Sequence, residues 1–310
     1  MSQTEPRIVI IAPCRNEEKF LPDLIRSLEN QTLKPVECII VDDGSTDKTP
    51  ELVSEAEKRN SWIRLVRKED RGKRSVGPGV VETFYYGYEK LRTKDWDYIC
   101  KLDGDIVLPP NYFKRLIYYF EKDKYLGSAS GKLYLKLKSG SLTLERTSDE
   151  MVWGCTNFYR RECFEQIGGF VKQTMWDGIA FHRARMAGWR TRSIWDPELK
   201  MIEQRIMGSS QKNIIVGRIR WGRGQYFMGT HPLYILAVGF YRLFERPFLI
   251  GGICIAVGYF ISMLKRAERY DFPGFRKSLH AWQFERLKIG RRLEKIPDPP
   301  ENLFHEKELA

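Results

Sequence analysis

Short apolar runs alternate with longer amphipathic stretches through the first hundred residues of the chain. Residues 7–12 are mostly β-branched and are followed directly by Pro13, whereas residues 17–31 carry apolar side chains at the spacing of one helix face. Similar apolar runs recur at residues 37–41, 62–66 and 98–102. Buried parallel strands have this near-continuous apolar character. The alternation therefore predicts an α/β fold, Rossmann-like, with a mostly parallel sheet.

Local signals place the remaining elements of this first part of the chain. Thr49 and Pro50 suit the cap and the first turn of a helix that follows the second strand. The other predicted elements are helices at residues 79–91, 111–120 and 175–189, an antiparallel excursion at residues 128–144 and a tight turn at Gly168-Gly169.

Acidic residues follow two of the predicted strands. Asp103-Gly104-Asp105 comes directly after residues 98–102, and Asp42-Asp43 ends the strand at residues 37–41. In open α/β sheets ligands bind at the carboxyl ends of strands, so both pairs are expected on one rim. Carboxylates separated by one small residue suit a divalent cation and a ribose. Turn formation and helix capping are the alternative explanations for both pairs.

The charge of the chain favours anionic partners. Lys and Arg number 52 against 40 Asp and Glu, a formal net charge of +12. No zinc-finger spacing and no base-stacking aromatic strand occurs, so phosphates on small molecules and lipids are expected and nucleic acid is not. The six cysteines form no C-x-x-C pair and the first residues lack a signal-peptide pattern, which together predict a reduced, cytoplasmic setting.

Basic residues concentrate in two further stretches. Residues 67–79 are rich in glycine and include Arg71, Lys73 and Arg74. This is the composition of a mobile loop that closes over a diphosphate, and also that of a solvated charged loop. The second cluster, residues 218–223, surrounds Trp221.

Three motifs in order resemble family 2 of the inverting glycosyltransferases, which have the GT-A fold. The motifs are Ile-Ala-Pro-Cys-Arg-Asn-Glu-Glu at residues 11–18, Val-Asp-Asp-Gly-Ser-Thr-Asp at residues 41–47 and Leu-Asp-Gly-Asp at residues 102–105. The resemblance covers about the first two-thirds of the chain and is specific because the three occur together.

The resemblance implies roles for individual residues. Pro13 and Glu17 would line the nucleotide site, and Asp43, with Asp42 beside it, would bind the uracil or ribose. Asp103 would contact the nucleotide sugar. In the family an element with arginine and tryptophan helps to bind the diphosphate or the acceptor, so the resemblance implies Arg220 and Trp221 of the second basic cluster. The composition of the basic loop, apart from the resemblance, adds Arg74 as a donor-binding residue.

The resemblance also implies a metal site and a general base. Asp105 would ligate Mn²⁺ or Mg²⁺, and Glu203 stands near the position where the family often has a histidine. Asp177 falls on the general base, which removes the proton of the acceptor hydroxyl. Trp176 replaces the glutamate that usually precedes this base, and helix capping is the alternative role for Asp177.

The last third of the chain is apolar and basic. Residues 232–241 and 248–264 are uncharged runs flanked by basic residues, and residues 275–293 mix aromatic residues with many Lys and Arg. This pattern predicts a hairpin or re-entrant segment and a helix lying on an anionic membrane face. A soluble helical subdomain or a dimer interface is the alternative. We place the catalytic domain at residues 1–225 and the membrane-associated helical region at residues 226–310.

The sequence thus predicts a metal-dependent inverting glycosyltransferase at the cytoplasmic face of a membrane. The expected donor is a nucleotide-diphosphate sugar, and the expected acceptor is a lipid-linked saccharide used in cell-surface polysaccharide or glycolipid synthesis. A polyprenyl-phosphate sugar synthase and a non-catalytic membrane scaffold are the rivals. A sugar-1-phosphate nucleotidyltransferase fits less well, because the chain lacks its early glycine-rich loop.

Overall fold

The structure is a computed structural model that describes residues 5–137, 139–205, 214–244 and 249–288. Its strands are β1 (Ile8–Cys14), β2 (Glu37–Asp42), β3 (Ile63–Arg67), β4 (Tyr98–Leu102), β5 (Ile106–Val107), β6 (Leu126–Gly131), β7 (Leu133–Lys136), β8 (Leu142–Leu144), β9 (Thr156–Arg160), β10 (Arg190–Ile194) and β11 (Met201–Glu203). Its helices are α1 (Leu21–Glu29), α2 (Thr49–Arg59), α3 (Pro78–Tyr88), α4 (Tyr112–Lys122), α5 (Arg161–Gln166), α6 (Trp176–Met186), α7 (Ile214–Met228), α8 (Pro232–Tyr241), α9 (Ile250–Leu264) and α10 (Phe275–Leu287).

The main sheet has the strand order β10-β6-β9-β4-β1-β2-β3. Strands β4, β1, β2 and β3 pair in parallel, as do β6 and β10, and β9 runs antiparallel to both β4 and β6. The mostly parallel α/β sheet predicted from the sequence is therefore confirmed. The strand order reverses at β1, between β2 on one side and β4 on the other, and ligands bind outside the strand ends at such reversals.

Burial on both faces of the sheet explains the apolar runs of the sequence. In β1, Ile8 and Ile10 belong to the apolar cluster beneath α1, α2 and α4, whereas Val9 and Ile11 belong to the cluster beneath α3, α5 and α6. All four side chains are completely buried. Burial of each side chain contributes about 1.5–3 kcal/mol to folding. Because the strand is covered on both faces, its sequence does not alternate between apolar and polar residues.

A smaller sheet, in the order β5-β11-β7-β8, follows the first. The antiparallel excursion predicted at residues 128–144 holds for the hairpin of β7 and β8. Its first residues instead form β6 of the main sheet, which pairs antiparallel with β9 and in parallel with β10. The reason is tertiary: β6 is built from small residues and is buried throughout, so it is accommodated among other strands of the main sheet.

The described part of the chain after β11 is helical. Helix α7 runs unbroken through the boundary proposed near Gln225, so the division at that residue stays a prediction. Helices α7 and α9 pack closely, since a Cβ on Gly258 would lie 2.9 Å from the carbonyl carbon of Ile219. Helix α10 packs on α6, where Phe275 and Leu279 meet Ile179.

Helices α8 and α9 leave many large apolar side chains exposed to solvent. We call this set the apolar hairpin surface: Leu233, Leu236, Phe240, Tyr241, Phe244, Leu249, Ile250, Ile253, Val257 and Leu264. Among the helices that the structure describes, none combines the length and apolar character needed to cross a membrane. Phe248 and residues 289–293, which belong to the predicted membrane segments, lie outside the described residues.

Candidate active site

A cavity of about 160 Å³ opens at the carboxyl ends of the neighbouring strands β1 and β4. It is lined by Pro13, Glu17, Arg74, Ser75, Val76, Val80, Asp103, Gly104, Asp105, Glu203 and Arg205. The fold therefore brings together six residues that the sequence analysis had placed at the site: Pro13, Glu17, Arg74, Asp103, Asp105 and Glu203. A larger cavity of about 270 Å³, at the far end of α6 beside Trp189, includes none of them.

Four carboxyl groups share the smaller cavity. Burial, together with the charges of Asp103 and Glu17, raises the pKa of Asp105 to about 7. Burial, and the negative charges of Asp105 and Asp103, also raise the pKa of Glu203. Burial raises the pKa of Glu17 as well, although the positive charges of Arg205 and Arg74 partly lower it. The cluster therefore gathers more negative charge than its surroundings compensate.

Two guanidinium groups lie among these carboxyl groups. Arg74 Nη2 donates to Glu17 Oε1 at 2.6 Å. Arg205 donates to Glu17 Oε2, and its Nε lies 3.4 Å from Asp105 Oδ2. Guanidinium groups bind carboxylate and phosphate with the same planar fork. Arg74 and Arg205 could therefore exchange their carboxylate partner for a phosphate group.

The donor set of this cavity fits a divalent cation in part. Asp105 and Glu203 offer hard oxygen ligands of the kind that Mg²⁺ and Mn²⁺ take. Within the described ranges, no three His, Cys, Asp or Glu side chains are gathered closely enough to hold a metal ion alone. Burial first, and then the neighbouring negative charges, raise the pKa of both carboxyl groups, and a bound cation would favour their ionised forms. The residues therefore fit a cation whose coordination is completed by oxygens of a ligand.

Asp42 and Asp43 end the neighbouring strand β2. Asp43 Oδ1 lies 2.8 Å from Arg71 Nη2, so the basic loop contacts this acid directly. Asp42 is fully buried, and its Oδ1 accepts the backbone N–H of Ser45 at 2.9 Å. Its Oδ2 receives no hydrogen bond in the described part of the chain, and the nearest cation is Arg67 Nε at 3.6 Å. This oxygen is available as a hydrogen-bond acceptor.

Asp177 lies in the first turn of α6, which follows Met175 in the left-handed conformation (φ 58°). The backbone N–H of Gly178 donates to Asp177 Oδ1 at 2.8 Å. Burial raises the pKa of Asp177, against the Gly178 hydrogen bond and the charge of Lys101. A carboxylate whose pKa is raised toward neutrality is better matched to accept a proton. Asp177 lies outside the cavity lining, but its charge interacts with that of Asp103 on the rim.

Lys101 is a buried cation next to these acids. It lies in β4, is 2% exposed, and donates to Asp103 Oδ1 and, at 2.9 Å, to the carbonyl oxygen of Gly154. Burial acts to lower the pKa of Lys101, but Asp103 outweighs it and the pKa is raised, so the ammonium stays charged. The sequence analysis assigned no role to Lys101 or Arg205. The available signal for Lys101 was a single charge inside an otherwise uncharged strand.

Close packing explains the glycine of the Asp-Gly-Asp motif, and a hydrogen bond explains Thr49. A Cβ on Gly104 would lie 2.9 Å from Cys14 Sγ and 3.1 Å from Glu17 Cγ, so only glycine fits between the two aspartates. The capping role predicted for Thr49 is wrong, because Thr49 is the first residue of α2 and Lys48 occupies the N-cap position, while Asp47 Oδ1 accepts the backbone N–H of Thr49 at 3.0 Å. The Thr49 hydroxyl instead accepts the backbone N–H of Glu17 at 2.8 Å and so helps to position the Glu17 segment.

The structure does not bring Arg220 and Trp221 to the cavity. Both belong to α7, where Trp221 packs against an apolar cluster that includes Tyr226 and Ile255. Burial lowers the pKa of Arg220. The donor-binding role expected for this pair stays a prediction, and the geometry gives it no support.

Known proteins resemble this chain in sequence and in fold. Residues 9–168 match the sequence model of the family described as Glycosyl transferase family 2. The chain is 24% identical to a poly-beta-1,6-N-acetyl-D-glucosamine synthase of Staphylococcus aureus, over 74% of this chain and 60% of that protein. The chain therefore spans about three-fifths of the length of this relative.

Two solved structures show the same fold at low sequence identity. One is the mannosyltransferase PcManGT from Pyrobaculum calidifontis in complex with GDP-Man and Mn²⁺, with a TM-score of 0.55 and 15% identity over 94% of this chain and 77% of that one. The other is Staphylococcus aureus TarS 1-349 in complex with UDP-GlcNAc, with a TM-score of 0.51 and 16% identity over 90% of this chain and 78% of that one. The predicted GT-A fold is confirmed by these likenesses.

Proposed function

Because the chain belongs to glycosyl transferase family 2, we propose that it transfers a sugar from a nucleotide-diphosphate donor to an acceptor hydroxyl, with inversion at the anomeric carbon. One observation carries the proposal: Glu17, Asp103 and Asp105 line a single cavity at the carboxyl ends of two adjacent parallel strands. Ligands of α/β enzymes bind at this position of the fold.

The donor is proposed to bind across the ends of β2, β1 and β4. The carboxylate of Asp43, with the buried Asp42 beside it, is proposed to accept a base N–H or ribose hydroxyls, and Arg71, Arg74 and Arg205 suit the diphosphate. Bound GDP-Man in PcManGT and UDP-GlcNAc in TarS support a nucleotide sugar as the ligand class.

Asp105, with Glu203 beside it, is proposed to hold Mn²⁺ or Mg²⁺. The Mn²⁺ in the PcManGT complex supports this assignment. When bound, the cation would offset the negative charge that develops on the departing nucleotide diphosphate. Arg205 lies close to Asp105 and would release this carboxylate when the cation and the donor enter.

Asp177 is proposed to act as the general base. In an inverting transfer the acceptor oxygen forms a bond to the anomeric carbon while the bond from that carbon to the diphosphate oxygen breaks. The hydroxyl proton passes to a carboxylate on the opposite face from the leaving group. The raised pKa of Asp177, caused first by burial, and its interaction with the rim residue Asp103 support this role.

The acceptor is proposed to be a lipid-linked saccharide, reached at the cytoplasmic face of a membrane during cell-surface polysaccharide or glycolipid synthesis. The apolar hairpin surface exposes ten large side chains, among them Phe240 at 65% and Phe244 at 67% exposure, and Lys265 and Arg266 follow it directly. Aromatic side chains and neighbouring cations together favour an anionic lipid surface.

Helix α7 links this surface to the base. It packs along α9, and its Gly224 approaches Met175, because a Cβ on Gly224 would lie 2.7 Å from Met175 Cγ. Met175 is two residues before Asp177. The contacts of α7 therefore join the hairpin to the segment that carries the proposed base, which supports a lipid-linked acceptor.

Calorimetric titration with UDP and with GDP, each with and without Mn²⁺, tests the donor site. We expect one nucleotide to bind in a metal-dependent manner, and we expect Asp105→Ala to abolish the metal dependence. Asp95→Ala is the matched control, because Asp95 is an exposed aspartate paired with Arg7 away from the cavity. Absence of binding to either nucleotide by folded protein with metal present would overturn the proposal in favour of a non-catalytic scaffold.

A further inference from the structure

We infer that Lys101 is a positioning residue of the transfer reaction, whose buried ammonium holds Asp103 at the donor cavity and Asp177 at the acceptor side in one charge network. The inference rests on the function proposed above. Lys101 donates to Asp103 Oδ1 and to the carbonyl oxygen of Gly154 at 2.9 Å. It therefore contacts both the aspartate motif and the segment that packs against the base.

Gly154 transmits the position of Lys101 to Asp177. Its carbonyl oxygen accepts the hydrogen bond from Lys101, while its Cα faces the base, since a Cβ built there would lie 2.6 Å from Asp177 Oδ2. The ammonium and the base thus hold the same backbone unit from two sides. A displacement of Lys101 would shift Gly154 and with it the space that Asp177 occupies.

Trp176 lies beside Lys101 without forming an ion pair with it. The ammonium lies 5.2 Å from the centroid of the Trp176 ring, which itself packs edge-to-face on Phe170 at 4.8 Å. An indole stabilises a cation through its π face but forms no ion pair. With tryptophan at this position, the charge of Lys101 is offset by Asp103 and Asp177 and not by a carboxylate at residue 176.

The charged groups that face Asp177 act in opposite directions. The Asp103 carboxylate favours protonated Asp177, whereas the Lys101 ammonium favours the ionised base. The other facing groups are the Gly178 N–H, which stabilises the carboxylate, and the Tyr159 phenol, which burial keeps neutral. Removal of the Lys101 charge would leave only the Gly178 N–H to stabilise ionised Asp177 beside Asp103, so the base would lose its proton only at higher pH.

The carboxyl titration of Asp177 tests this inference without any transfer assay. Protein labelled with ¹³C-aspartate is titrated in EDTA, with Asp177→Asn used to assign the resonance. In Lys101→Met we expect the midpoint of Asp177 to rise by about one pH unit or more, as for the loss of an opposite charge in close contact. Lys101→Arg keeps the charge and should leave the midpoint within about half a unit of wild type.

Kinetics supply a second readout that a purely structural role would not move. In Lys101→Met the acidic limb of the kcat profile should shift to higher pH by the same amount, and Lys101→Arg should restore the wild-type limb. If Lys101→Met does not fold, Lys101→Gln provides the neutral comparison and retains a donor toward Gly154. An unchanged Asp177 midpoint in a folded neutral variant would overturn the inference. A wild-type protein that binds no nucleotide would instead overturn the proposed function, and the carboxyl titration would still decide the role of Lys101.

Discussion

Gly154 and Asp177 are in direct contact across the site, although they are separated in the sequence. A Cβ placed on Gly154 would lie 2.6 Å from Asp177 Oδ2 and 3.3 Å from its Cγ. Real Cβ atoms do not approach other heavy atoms at the shorter of these distances, so the carboxylate of the proposed base occupies a space that only glycine leaves free.

Gly154→Ala should therefore displace the base and leave the donor site intact. We expect kcat to fall by about 10- to 100-fold, since misplacement of a reacting group by about 1 Å is costly. The nucleotide dissociation constant should stay within about twofold, because Gly154 does not line the donor cavity. Gly239→Ala is the matched control, because its nearest neighbour would lie at an ordinary 3.5 Å. A normal kcat in folded Gly154→Ala would contradict the role of this contact.

Asp177→Asn should remove the base while it preserves the shape of the side chain. We expect kcat to fall by about 10²- to 10⁴-fold, the usual contribution of general base catalysis, with nucleotide binding unchanged. Steady-state transfer assays and calorimetry on the same sample check both parts, and the exposed acid Glu162, changed to Gln, serves as control. Retention of wild-type turnover would favour a polyprenyl-phosphate sugar synthase, whose phosphate acceptor is already ionised.

Arg74→Met should weaken the binding of the donor. Arg74 Nη2 lies 2.6 Å from Glu17 Oε1 at the cavity, and we propose that it transfers to the diphosphate. A charge-assisted bond of about 1.5–3 kcal/mol corresponds to a KM for the nucleotide sugar about 10- to 100-fold higher. Lys73→Met changes an exposed cation of the same loop and should have little effect. If both substitutions raise the KM equally, the loop attracts the donor only through its overall positive charge, and Arg74 makes no specific contact.

The stability of the metal-free protein should fall as the pH rises through neutrality. The pKa of Asp105 is about 7 in the folded protein, because of burial and its acidic neighbours, against about 3.9 in an unfolded chain. The folded state therefore favours the protonated carboxyl. The contribution of Asp105 to the free energy of unfolding is therefore fully present below pH 4 and is lost as the pH rises through 7.

Urea unfolding in EDTA measures this effect. We expect the Asp105 contribution to lower the free energy of unfolding by on the order of 2–4 kcal/mol between pH 4 and pH 8. Asp105→Asn should reduce the decline and Asp95→Asn should not. Addition of Mn²⁺ at pH 8 should stabilise the wild type and leave Asp105→Asn unchanged. Identical pH profiles for wild type and Asp105→Asn would show that this carboxyl ionises normally.

The apolar hairpin surface should bind anionic vesicles. Phe240 and Phe244 are about two-thirds exposed and stack edge-to-face at 5.4 Å. Burial of each ring in lipid contributes about 1.5–3 kcal/mol, so Phe240→Ser with Phe244→Ser should weaken vesicle binding at least about tenfold. Val36→Ser, which changes an apolar residue of the catalytic sheet region with 38% exposure, is the control. Unaltered sedimentation with vesicles would instead favour an interface between protein chains.

Much of the donor site could be predicted because it depends on local signals. The apolar runs of β1, β2 and β4 are read directly from the sequence, and Asp43 and Asp103 follow the last two. Parallel strands present their carboxyl ends at one edge, so acids that follow the strands in the chain meet in space. The position of Trp221 could not be predicted in this way, because it follows no strand and its side chain packs in an apolar cluster between helices.

What the sequence determined by itself is the order of the elements and the chemistry at the strand ends, since periodicity and composition act over a few residues. What only the tertiary structure decided is which charges face one another. Arg205 reaches Glu17 across 188 positions of sequence, and Lys101 reaches Gly154 across 53. Such pairs arise when helices and strands pack at a fixed register, and the resulting burial is what raises the pKa of Asp105 and of Asp177.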